Sequence, residues 1–159
     1  MLKQEERKER IQRIGDLPSA LERAVDQLTD AQLDTPYREG GWSVRQVVHH
    51  LADSHMNAYI RMKLTLTEDH PTVRPYDQEA WAEQYDAKHL PIDTSLKLLA
   101  ALHARWYQML TRVQEADWAR TAFHPENGES TLETFLITYS DHGTNHVKQI
   151  TDLRSLRKW

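Results

Sequence analysis

The sequence contains no cysteine. That absence removes disulfides, a thiolate nucleophile and any zinc site built on sulfur. Glycine and proline are scarce, five and six in 159 residues, which excludes collagen-like and linker-like chains. No apolar run approaches the roughly 18 residues needed to span a bilayer, and the opening stretch MLKQEERKERIQRIGDL lacks a signal-peptide core. With a mean hydropathy of −0.75, no membrane partner is expected, and the expected compartment is the cytoplasm. Excess positive charge is missing too: 20 Lys and Arg stand against 24 Asp and Glu, a net charge of −4. Nucleic-acid binders carry a basic face or stripe, so no nucleic-acid partner is expected.

Several motifs are also absent. There is no His-Glu-x-x-His of the helical zinc peptidases and no Glu-x-x-His of the di-iron bundles. Neither a Gly-x-Ser-x-Gly elbow nor a Gly-rich phosphate loop occurs. What the chain does have is nine histidines, which turn attention to nitrogen ligands.

Four long segments carry apolar residues at helical spacing, and none alternates with period two. The expected fold is therefore all-α, a four-helix bundle forming a single domain over residues 1–159. The first helix covers about Leu2 to Leu28, with a break expected at Gly15 and Pro18 and a restart capped near Asp16. Ser43 caps the second, Val44 to about Thr67. The third runs from about Thr94 to Ala116. The fourth opens with the capping box Ser130-Thr131-Leu132-Glu133 and reaches about Arg157. The segments between Thr29 and Gly41 and between Asp117 and Ser130 read as loops. Between the second and third helices lies an excursion from Asp69 to about Asp93, with a short helix expected over Asp77 to Asp86 and capped by Asp77. It is longer than a connector needs, and such segments are often functional.

His142 and His146 stand one turn apart on the fourth helix, so both imidazoles can reach one metal through bonds of about 2.1 Å. Gly143 between them removes bulk where another helix could approach. A third ligand must come from another helix, and the wheel of the second helix offers His50 or His55 without deciding between them. His49 reads as an exposed residue paired with Asp53. His103, on the inner face of the third helix, reads as a packed histidine or one that braces a ligand. Asp53 and Asp141 are candidate partners for the ligand imidazoles, although each also reads as a surface carboxylate. Arg74, Tyr76 and Trp81 are candidates for a lid or for contact with an anionic substrate. His70, His89 and His124 receive no role.

The block from Pro36 to His55, PYREGGWSVRQVVHHLADSH, resembles the DinB/YfiT-like superfamily. Within it the likeness is to the YfiT-type metal-dependent hydrolases of bacteria, also described as bacillithiol S-transferases. Arg74-Pro75-Tyr76-Asp77, Ala80-Trp81, His124-Pro125 and the closing His142-x-x-x-His146 match as well. The resemblance implies a bundle with one divalent metal per subunit, zinc or nickel, on three histidines. The ligand before the Leu of the His-Leu motif maps to His50, and the other two map to His142 and His146. It also implies a homodimer, a small-molecule substrate, possible use of a low-molecular-weight thiol, and either hydrolase or thiol S-transferase chemistry. The contrasting expectation is a non-catalytic bundle that a metal merely braces.

Overall fold

The computed structural model describes residues 1–159. Its frame is four helices: α1 (Gln4–Val25), α3 (Val44–Thr67), α6 (Asp93–Leu110) and α7 (Leu132–Arg157). Short helices α2 (Asp30–Leu33), α4 (Gln78–Ala82) and α5 (Tyr85–His89) lie in the connections, with a 3₁₀ turn at Glu115–Ala119. None of the helices is long and apolar enough to cross a membrane.

Several local expectations fail. The segment from Thr29 read as a loop contains α2, and the short helix expected over Asp77–Asp86 is split into α4 and α5. The third long helix stops at Leu110 instead of Ala116. Helix α1 runs unbroken through Gly15 and Pro18, because its Ile11–Ile14–Leu17–Leu21 stripe is buried on both sides of the proline. The segment read as a loop before the fourth helix contains an antiparallel hairpin, β1 (Thr121–His124) with β2 (Gly128–Thr131). Four residues per strand are too few for a periodicity signal, and Gly128 closes the turn at φ +76°, where a side chain would be strained. The α7 cap is Thr131, whose hydroxyl accepts the Thr134 N–H at 3.0 Å, while Ser130 remains in β2. The expected Ser43 cap is present, with Gln46 returning a bond to the Ser43 N–H at 3.0 Å.

Helix α1 packs against α6 and α7, and α3 packs against the same two. The consecutive helices α1 and α3 therefore face each other across a diagonal, as do α6 and α7. The connections 26–43 and 111–131 must cross the bundle. The excursion 68–92 links neighbours and has slack to do something else.

The core is two apolar clusters. One holds Leu17, Leu21, Val48, Leu51, Leu99 and Ile150; the other holds Ile14, Ala58, Met62, Trp106, Leu136 and Tyr139. Along α3, α6 and α7 the boundary between them is occupied by His55, His103 and His142. A layer of imidazoles thus divides the hydrophobic interior.

Candidate metal centre

The Trp42-to-Leu51 block locks the start of α3 before any ligand is considered. The buried Arg45 guanidinium bonds Asp34 at 2.6 Å, Asp30 at 2.9 Å and the Leu90 carbonyl at 3.1 Å, pinning two connections at once. Gln46 donates to the Ala82 carbonyl at 2.8 Å. His49 is buried rather than exposed. It meets the Ser95 hydroxyl at 2.7 Å and the Leu90 carbonyl at 3.1 Å, having turned toward α6 and the excursion instead of Asp53. His50 then projects toward α7, with the Trp42 ring against it at 4.5 Å between centroids.

His50, His142 and His146 bring their ring nitrogens together, all within 4.8 Å of one another. The His142 Nε2 lies 3.2 Å from His50 Nε2 and 3.1 Å from His146 Nε2. Nitrogens on one tetrahedral zinc are about 3.4 Å apart, so the spacing suits a shared cation.

The hydrogen-bond partners say which nitrogens are bare. His103 Nδ1 lies 2.6 Å from the Ile14 carbonyl oxygen, which can only accept, so His103 carries its proton there. Neutral His103 must then accept at Nε2, and His55 donates to it from Nδ1 at 2.9 Å. His55 Nε2 in turn accepts from His142 Nδ1 at 3.1 Å, leaving His142 Nε2 as a lone pair. His146 donates from Nδ1 to Gln149 Oε1 at 2.8 Å, so its Nε2 is bare too. Two lone pairs 3.1 Å apart repel, and a cation between them removes the repulsion. The donor set fits a divalent metal.

The Ile14 carbonyl is available for a reason. Its helical partner would be the N–H of residue 18, which is Pro18 and has none. The proline expected to break α1 instead frees the oxygen on which the imidazole chain is anchored. At the other end, a Cβ on Gly143 would stand 2.7 Å from the Leu17 Cδ2 and 3.3 Å from the His55 Cε1, so its absence lets α1 and His55 approach.

Burial keeps these rings uncharged. It pulls His50 and His142 down to about 3, with the charge of neighbouring His146 adding to the effect. His103 falls to about 4 by burial, opposed by its bond to Ile14. His55 lies well below its ordinary value, first through burial and then through His103 and His142. His146 is lowered by burial, against the pull of Gln149. Neutral imidazoles are what a metal requires.

The geometry separates the sequence candidates. His55 is fully buried behind His142 and supports it instead of joining the cluster. His103 is a satisfied core histidine that braces His142 through His55. Asp141 binds Arg10 at 2.8 Å and Arg13 at 3.2 Å and orients no imidazole. Half-buried Asp53 is not a partner of His50; burial and nearby Asp86 push its carboxyl up to about 6.

Two cavities flank His142. One of about 460 Å³ is lined by His50, His142, His146, Trp42 and Glu79. The other, about 620 Å³, is lined by His142, Arg61, Tyr76, His124 and Tyr139. Gln78 borders both, so the excursion walls the site. Arg74 and Trp81 line a separate cleft with Tyr76. Arg61 and His124 were not identified as site residues from the sequence. Arg61 could have been found by its register, since positions 50, 54 and 61 share one face of a helix. His124-Pro125 carried the resemblance without suggesting a role.

The DinB superfamily profile matches residues 14–150. The chain belongs to the DinB superfamily. A protein of Bacillus mycoides named "putative metal-dependent hydrolase" is 52% identical over 149 residues, covering 94% of this chain and 86% of that protein. A Bacillus cereus protein of the same name shows the same identity and coverage. Among solved structures, YfiT from Bacillus subtilis superposes with a TM-score of 0.97 at 46% identity, covering 100% of this chain and 91% of that one. That protein is described as a probable metal-dependent hydrolase with an unusual four-helix bundle topology.

Proposed function

We propose that this chain is a metal-dependent hydrolase or thiol S-transferase acting on a small molecule, with His50, His142 and His146 holding one zinc or nickel ion. The observation that carries the reading is the meeting of bare ring nitrogens 3.1 Å apart at the floor of an open cleft. The names of the relatives point the same way. Three ligands are characteristic of catalytic zinc sites, which keep a position for water or substrate.

When bound, such an ion supplies Lewis acidity that makes a water or a thiol nucleophilic near neutral pH. The chain supplies the rest. His55 and Gln149 hold the His142 and His146 rings in the tautomers that offer Nε2. Trp42 covers the His50 ring and, anchored through Nε1 to Glu79 at 3.0 Å, walls one side of the cleft. The residues of the excursion border the approach to it. In the transferase form of the reaction, the thiol sulfur bonds to an electrophilic carbon, the leaving group departs with its electron pair, and the thiol proton passes to solvent.

Metal analysis of protein purified without an affinity tag tests the reading. About one equivalent of divalent metal is expected, lost in His50→Ala. Less than about a tenth of an equivalent, unchanged by that substitution, would end it. Incubating the metal-loaded chain with low-molecular-weight thiols and a chlorinated aromatic, and reading conjugates by mass spectrometry, separates transfer from hydrolysis. Full metal occupancy with no product on a broad panel of either kind would favour a braced, non-catalytic bundle.

A further inference from the structure

Arg61 is the least explained charge in the molecule. It stands in the middle of α3 with only 8% of its surface exposed. Its hydrogen bonds go to the Tyr139 hydroxyl at 2.8 Å and the Arg74 carbonyl at 2.7 Å, both neutral, and its buried Nε has no partner. A guanidinium cannot shed its proton to escape burial, and buried cations are normally matched by an anion. By contrast, the other buried arginines each have carboxylates: Arg7 has Glu115 and Glu133, and Arg45 has Asp30 and Asp34. No carboxylate of the chain pairs with Arg61, and the carboxylates nearest it stand only at the rim of the cavity it lines.

The cavity that Arg61 lines is equipped to receive one. Arg61 donates to the Tyr139 oxygen, so the Tyr139 hydroxyl proton is free to point elsewhere. The buried His124 accepts the Glu126 N–H at Nδ1, at 3.3 Å, which places its own proton on Nε2. The wall thus carries a cation and two further donors. Of the carboxylates at its edge, Asp77 caps α4 by accepting the Ala80 N–H at 3.0 Å, and Glu126 is exposed. The same cavity reaches His142, whose ring lies 6.2 Å from that of Tyr139 between centroids.

We propose that the cavity between α3 and α7 binds the oxyanion of a small molecule, a carboxylate or a phosphate, on Arg61, Tyr139 and His124. The rest of that molecule extends past Tyr139 toward the histidine cluster. The direction in which it extends rests on the metal-enzyme reading above; the anion site does not. The substrate class is then a small acidic molecule that carries a carboxylate or a phosphate.

The test is a titration of the ¹⁵N-labelled full chain, zinc-loaded and again after chelation, with sodium acetate, methylphosphonate and neutral acetamide at constant ionic strength. The readout is the Arg61 Nε–H resonance, assigned by its loss in Arg61→Lys. A saturable shift with acetate or methylphosphonate is expected, absent with acetamide and retained after zinc is removed; the stronger of the two probes identifies the anion. Tyr139→Phe and His124→Phe, whose folding the same spectra report, should each weaken binding about fivefold, as one lost hydrogen bond would. An Arg61 resonance that does not move, moves equally with acetamide, or moves only when zinc is present overturns the proposal. Saturation at Arg61 in a chain that binds no zinc would uphold the anion site and defeat the metal reading alone.

Discussion

Individual imidazoles carry a testable pH signature. In the metal-free chain, His50 and His142 take up protons only near 3, whereas the unfolded chain takes them up near the ordinary 6.5. Between those values the unfolded state binds more protons, so stability falls as the pH is lowered from about 6.5. At pH 5 the loss is about 2 kcal/mol for each such ring. Asp53 acts in the opposite sense. Its native carboxyl titrates at about 6 against an ordinary 3.8, so between those values its contribution weakens as pH rises. One carboxylate is outweighed by several rings. Urea unfolding of the chelated chain from pH 7.5 to 4.5 should show a falling midpoint, and Asp53→Asn should steepen the fall. A flat profile would mean that the rings are not buried neutral.

At the level of elements, α1 and α6 act on an imidazole they do not contribute, that of His142. The His103–His55–His142 chain begins on an α1 carbonyl released by Pro18 and ends at the lone pair on α7. His103→Leu leaves the His55 Nδ1–H without its acceptor and frees His142 to adopt the other tautomer. Zinc affinity, read by competition with a chelator, should fall up to about 10-fold, the low end of what losing a direct partner of a ligating imidazole costs, because His103 acts through His55. His103→Gln can still donate to Ile14 and accept from His55, and should retain most of the affinity. Equal losses in the two variants would show that His103 only fills space.

The whole molecule is joined through this layer. Ile14, His103, His55 and His142 come from α1, α6, α3 and α7 in turn, so one hydrogen-bonded chain touches every bundle helix. An ion held by α3 and α7 would clamp two neighbouring helices and, through that chain, the other two. Binding to the native state alone stabilises it by about 2.7 kcal/mol at a hundredfold excess over the dissociation constant. For a domain of this size that is roughly 5–10 °C in melting temperature. Scanning calorimetry with zinc and with chelator should show such a rise, and His146→Ala should abolish it. An unchanged melting temperature would place the ion outside the folded core.

Helical periodicity, capping residues and the His142/His146 spacing are local properties, and the sequence alone determined them: four long helices, the Ser43 cap, and two imidazoles on one face. The resemblance carried by the Trp42–Leu51 block selected His50, where the wheel had left His55 equal. What the tertiary structure decided were matters of who faces whom. The burial of His49, the continuity of α1 through Pro18 and the unpaired charge of Arg61 depend on partners far away in the chain. The direction of protons through His103 and His55 depends on a carbonyl 89 positions from the ring it anchors. Spacing along one helix says which side chains share a face, but only packing brings a second helix close enough to accept or refuse a hydrogen bond.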